Sequence, residues 1–162
     1  NFEQIKNFSI KRKIVSKSFF DFERQESEST SEFEEIIQTI QNEFPAEKIY
    51  DEKELQAQLT IFLKTKYPDS EVEREISNND GGFVDILMDD KYAFELKVPR
   101  SRTELRNLRG QIEEYQEDYS NLCVVIFENE DYDISEDIEK YVNIYHEKYD
   151  VPSVVLHGRK RK

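Results

Sequence analysis

Many of the residues that anchor common protein chemistries are scarce in this 162-residue chain. It has one cysteine, two histidines, no tryptophan, four glycines and four prolines. A single cysteine cannot build an internal disulfide framework. Cys123 lies inside the run LCVVIF and reads as part of a buried strand. A thiolate zinc cage needs more thiols, and His146 and His157 stand eleven residues apart with no cysteine pair beside them, so no zinc site is expected. There is no G-x-S-x-G elbow, P-loop or dinucleotide glycine fingerprint. The longest wholly apolar run is Leu122 to Phe127, far below the roughly 20 residues that span a bilayer, so no membrane segment is expected. The chain also lacks an overall basic excess. With 23 basic and 36 acidic residues it carries a net charge of −13, which by itself argues against a nucleic-acid partner.

What is present is unevenly placed. Residues 1–45 carry net −3, residues 46–95 net −7, residues 96–111 net +4, residues 112–150 net −11 and residues 151–162 net +4. The acidity therefore flanks a short basic island, LKVPRSRTELRNLRGQ, which contains Lys97, Arg100, Arg102, Arg106 and Arg109. A charge run of this kind is most simply a solvated face.

The first residue is Asn rather than Met, which leaves a fragment of a longer chain as one reading; no signal-peptide pattern follows, and an intracellular, cytoplasmic location is expected. Residues 1–45 read as an arm or an extra helix, with Phe33, Ile36, Ile37, Ile40 and Phe44 at helical spacing ahead of Pro45. The main domain is expected over residues 46–158, followed by a basic tail, 159–162. A long helix is predicted from about Ala46 to Tyr67-Pro68, with Leu55, Leu59, Phe62 and Leu63 as its apolar stripe. The strand EVEREIS follows, then the turn cluster from Asn78 to Gly82 and the strands FVDILM and YAFELKV. Ser101 with Glu104 has the pattern of a capping box, and Leu105, Leu108, Ile112, Tyr115 and Tyr119 form a helical stripe after it. The strand LCVVIF, a helix around 135–149 and the strand PSVVLH complete the order α-β-β-β-α-β-α-β, an α/β layer architecture.

Three charged residues sit in strands that otherwise read as buried: Asp85 in FVDILM, and Glu95 and Lys97 in AFELKV. Buried charges are costly unless paired or bound to a metal. The turn between the strands decides whether they meet. A two-residue turn at Asp89-Asp90 opposes Asp85 to Phe94 and sends Glu95 to the other face. A three-residue turn opposes Met88 to Tyr92 and Asp85 to Glu95, with Cβ atoms about 5 Å apart. Two carboxylates so placed can share a hard divalent cation, and Lys97 then falls on the same face. The plain alternative is a hairpin in which Lys97 neutralises both acids.

These pieces together resemble the PD-(D/E)XK phosphodiesterase superfamily, in its RecB-like and resolvase-like branch. Residues 47–127 cover the αβββαβ order. The matching motifs are the glutamate-bearing helix DEKELQAQL, VDIL after a glycine turn, ELK ten residues on, and QIEEY in the next helix. Val84 stands where the proline of the family's name would be. The resemblance implies a restriction-endonuclease-like fold with a mixed central sheet flanked by helices. It also implies a Mg²⁺-dependent nuclease acting on phosphodiester bonds, in DNA in the first place, with Mn²⁺ as a substitute. Asp85 and Glu95 look like the metal ligands, joined by the backbone carbonyl of Leu96, with Lys97 as the catalytic lysine and Gln111 and Tyr115 as accessory residues beside the site. The first-helix glutamate matches Glu54, with Glu52 as competitor. On a helical projection Glu52 lies about 60° to one side of the Leu55 stripe and Glu54 about 100° to the other. Gln58, one turn on, extends the polar ridge of Glu54, which favours Glu54.

The basic island begins at the lysine of this motif. Arg102, Arg106 and Arg109 lie one turn apart on one helix, and with Arg100 they are the expected contacts to backbone phosphates. Partners expected are nucleic acid and either a second copy of the chain or a larger parent protein. A catalytically silent nucleic-acid- or protein-binding module of the same fold is the alternative. The two are separated by divalent-metal binding and by cleavage.

Overall fold

The computed structural model describes residues 31–77 and 81–158. The chain divides into two compact units, Asn1–Glu35 and Ile36–Lys162. Of the first, the described residues are 31–35, which open a helix over residues 31–43 (α1). The rest of α1 belongs to the second unit, where Ile36, Ile40 and Phe44 are buried and the Phe44 ring packs on Phe62. Ile36, Ile40 and Phe44, expected within the arm 1–45, thus fall in the second unit. The expected tail 159–162, most of the arm and Asn78 to Asp80 of the turn cluster lie outside the described residues.

The second unit continues with α2 (Glu52–Lys66), β1 (Val72–Ser77), β2 (Phe83–Met88), β3 (Tyr92–Lys97), α3 (Arg102–Asp118), β4 (Asn121–Glu128), α4 (Ser135–Tyr149) and β5 (Ser153–His157). The strands form one mixed sheet in the order β1-β2-β3-β4-β5. β1, β2 and β3 are antiparallel neighbours, whereas β3, β4 and β5 run parallel through the crossover helices α3 and α4. This is the α/β architecture with a mixed sheet expected from the sequence. No helix among the described residues is long and apolar enough to cross a membrane.

α2 begins at residue 52, six residues later than its periodicity suggested, because Asp51 caps it. The Asp51 side chain accepts the Glu54 N–H at 2.9 Å, and Glu54 Oε2 accepts the N–H of Tyr50, one residue before the cap, at 2.6 Å, a capping box with its return bond displaced by one residue. Ala46 and Ile49 are buried in the segment that leads in. Lys64 and Lys66 sit in the last turn, where cations suit the helix dipole, and Pro68 prevents further extension. Leu55, Leu59 and Leu63 are fully buried, each contributing about 2 kcal/mol by its removal from water.

The β2–β3 turn has three residues. Met88 pairs with Tyr92, and Asp89 and Asp90 both take left-handed φ values, 54° and 56°. Aspartate tolerates that region better than most side chains. α3 begins after Ser101, whose side chain makes no cap bond; Glu104 Oε2 instead accepts the Arg100 N–H at 2.5 Å. On one side of the sheet Leu105, Leu108 and Ile112 of α3 and Ile138, Tyr141 and Tyr145 of α4 pack with Leu122, Val124 and Ile126 of β4. The Tyr145 hydroxyl donates to the Leu105 carbonyl and ties the two helices together. The β5 edge is closed by Gln41, whose amide donates to Val155 O at 3.0 Å and accepts from Val155 N at 3.2 Å.

Candidate active site

The ladder breaks at Asp85. β1 pairs with β2 at Arg74–Ile86 and Ile76–Val84 but not between, and β2–β3 pairing ends at Ile86–Phe94. Opposite the break, Glu75 has a φ of 54°. Val84 and Leu87 both join the core under α3 and α4, although their odd separation in a regular strand would put them on opposite faces. The strand changes face at the break, and the groups freed there are met by other elements. Asp85 Oδ2 accepts the Leu96 N–H at 2.7 Å, and the Asp85 carbonyl accepts the Gln56 amide of α2 at 2.9 Å. The Tyr115 hydroxyl of α3 donates to the Phe83 carbonyl at 2.7 Å.

The register of the three-residue turn, continued by one pair, brings Asp85 opposite Glu95. Glu95 is only 3 % exposed. Burial, the neighbouring Asp85 charge and the hydrogen bond to it push the Glu95 carboxyl well above the usual carboxylate range, and Lys97 opposes the shift. Burial also raises Asp85, against the Leu96 N–H, the contact with Glu95 and the Lys97 charge. The contact between the two carboxyls lowers Asp85 and raises Glu95, and it is Glu95 that burial and its neighbour carry well above the usual range. Glu95 Oε2 is buried without a hydrogen-bond partner; among the described residues the only other such side-chain atom is Ser153 Oγ. An orphaned oxygen in so dry a place is costly. A cation would satisfy it.

The sequence-derived residues divide into those that meet here and those that do not. Asp85, Glu95, Lys97 and Leu96 meet, Leu96 through its amide. The helix glutamate whose charge acts on both acids is Glu52, the competitor. Glu54, the preferred one, closes the capping box of α2 and faces a separate hollow with Glu47 and Gln58. Tyr115 is buried beside the pair, and burial together with the charges of Glu95 and Asp85 raises its phenol far above the ordinary value. Its hydroxyl is engaged with a strand carbonyl. Gln111 is half-buried one turn before it. Gln56 was not singled out from the sequence, since an amide on a predicted apolar helix face carries no motif.

The basic island proves to be divided. Arg102 lies 3.8 Å from Asp137 of α4, with Tyr141 of the same helix beside it. Arg109 Nε donates to the Tyr149 hydroxyl at 3.3 Å, and that hydroxyl donates to Glu113 at 2.7 Å. These two arginines lie between α3 and the acidic helix beside it, Arg102 exposed and Arg109 half-buried. Arg100 and Arg106 are exposed.

Could a metal be held here? No group of three or more His, Cys, Asp or Glu side chains among the described residues is arranged to hold one. The fit is to two carboxylates and backbone oxygen, an all-oxygen donor set suited to a hard divalent ion, with the unpartnered Glu95 Oε2 as the open valence. No family model, curated protein or solved structure matches the chain.

Proposed function

We propose that the chain is a metal-dependent nuclease of the PD-(D/E)XK type, hydrolysing phosphodiester bonds in DNA on a restriction-endonuclease-like fold. The element order from α2 to β4, α-β-β-β-α-β, supports the fold. The observation that carries the function is the buried, unpartnered Glu95 oxygen beside Asp85 and Lys97. Asp85, Glu95 and the Leu96 carbonyl would hold Mg²⁺, with Mn²⁺ as a substitute. When bound, such an ion supplies a Lewis acid for a phosphate oxygen and acidifies water near neutral pH.

The chain's own residues do the rest. Asp85 is fixed by the Leu96 N–H, so its carboxylate meets substrate already oriented. Glu95 gives up its proton when its oxygens are engaged. Lys97 orients the attacking water and offsets the charge that grows on the phosphoryl oxygens as the water oxygen bonds to phosphorus and the ester P–O bond breaks. The leaving oxygen takes its proton from solvent. Glu52 adds negative charge on the flank of the pair.

The test is cleavage of labelled DNA with Mg²⁺, with Mn²⁺ and with chelator. Cleavage should require the metal and fall on the order of 10²-fold or more in Asp85→Ala and Lys97→Ala. Full activity in either variant contradicts the assignment. Metal and DNA binding without cleavage would instead identify the silent module.

A further inference from the structure

If the substrate is DNA, its backbone must be gripped by a protein of net charge −13, and Arg102 and Arg109 are engaged with α4. Besides the exposed Arg100 and Arg106, a second group of cations lies elsewhere. Between α2 and β1 runs an open groove of about 600 Å³ lined by Lys53, Gln56, Lys64, Val72, Arg74 and Glu75. Its lining carries three cations and one anion. A second hollow, of about 490 Å³, is lined by Pro45, Glu47, Lys48, Glu54, Ala57 and Gln58, with two anions and one cation.

The cations are aligned by backbone geometry. Lys53 and Lys64 are eleven residues apart in α2, which at 100° per residue returns them to within about 20° of one line, about 16 Å apart along the axis. Thr60 falls on the same line and Gln56 about 60° to one side of it, and both are buried. Arg74 shares a face of β1 with Val72, while Glu75 reaches the groove because its left-handed backbone breaks the alternation. Lys53, Lys64 and Arg74 are exposed, and none forms an ion pair among the described residues. The groove adjoins the acid pair, since Gln56 lines it and also holds the Asp85 carbonyl.

We propose that this α2–β1 groove is the track for the sugar–phosphate backbone of the DNA, with Lys53, Lys64 and Arg74 each meeting a phosphate. This rests on the nuclease reading for its choice of ligand, but it is tested separately from it. Binding of a labelled DNA duplex by the full chain is followed by fluorescence anisotropy in chelator over a range of salt concentrations, and cleavage in Mg²⁺ is measured in parallel. In the triple variant Lys53→Gln, Lys64→Gln, Arg74→Gln the salt slope should fall by about 2 to 3 units, and by about 0.9 in each single variant. Replacing both lysines by arginine should retain the wild-type slope, and Arg102→Gln with Arg109→Gln should leave it unchanged. An unaltered slope in the triple variant overturns the groove, even where the wild type cleaves DNA. A wild type that fails to bind DNA at low salt also overturns it. A reduced slope in the triple variant sustains the groove even where the wild type proves unable to cleave.

Discussion

Asp85 and Glu95 on the sheet and Arg102 and Arg109 on α3 are neighbouring clusters of charge, yet the fold treats them in opposite ways. The arginines lie beside polar and charged groups on α3 and α4: Tyr141, Asp137 and Tyr149, with Glu113 behind. The acids are buried against each other, with one oxygen lacking any partner. In sequence the arginines look more like a binding surface, because they form a basic island in an acidic chain. In structure the acids carry the unmet demand. Charge density marks where charge is placed; an unsatisfied buried group marks where something else is needed.

The sharpest way to break this contrast is to remove one member of each cluster. Glu95→Gln keeps the shape of the side chain and should lower metal-dependent cleavage on the order of 10²-fold. Arg109→Gln should leave cleavage within a few-fold and show its effect as a lower melting midpoint. Equal losses of cleavage in the two variants would erase the distinction.

Stability against pH separates the clusters next. Between the ordinary carboxylate range and its raised native value, Glu95 binds a proton in the folded chain and none in the unfolded chain. Stability should therefore fall as pH rises through that window, by at most about 1.4 kcal/mol per pH unit for this one proton. Glu95→Gln should flatten the fall, as denaturant melts from pH 5 to pH 9 would show. Arg109→Gln should shift the whole profile without changing its slope.

A smaller effect distinguishes the two helix glutamates. Glu54→Ala removes part of a capping box and should cost about 1 kcal/mol of stability while leaving cleavage unchanged. Glu52→Gln should alter the metal concentration needed for half-maximal cleavage by a few-fold with little change in stability. The reverse pattern would return the site role to Glu54.

The elements that position the site were legible in the sequence because they depend on local pattern. The polar stretch Asp89-Asp90-Lys91 and the alternation around it fixed where the turn must lie, and the requirement that Asp85 face Glu95 demanded an odd number of turn residues, which the Met88–Tyr92 pairing meets. Of the predicted stripe Leu105, Leu108, Ile112, Tyr115 and Tyr119, the first four are buried, while Tyr119 caps the helix end and is half-buried. Errors arose where two local signals competed. Glu47 and Lys48 suit a helix, but Asp51 is a stronger start, and Asp51 with Glu54 is itself a capping-box pattern that accounts for Glu54. What remained out of reach was tertiary. That Arg102 and Arg109 would meet α4 depends on the docking of two helices whose facing residues lie 35 to 40 positions apart. Likewise Lys53, Lys64 and Arg74 belong to different elements and form no run, so no charge window could gather them.

The most direct measurement is calorimetric titration of Mn²⁺ and Mg²⁺ into the wild-type chain and into Glu95→Gln, with Arg109→Gln as the comparison. A cation site at the acid pair predicts saturable binding by the wild type and by Arg109→Gln, and at least a tenfold weaker affinity in Glu95→Gln. Equal affinity in Glu95→Gln and the wild type, or no binding to any of the three, would contradict it.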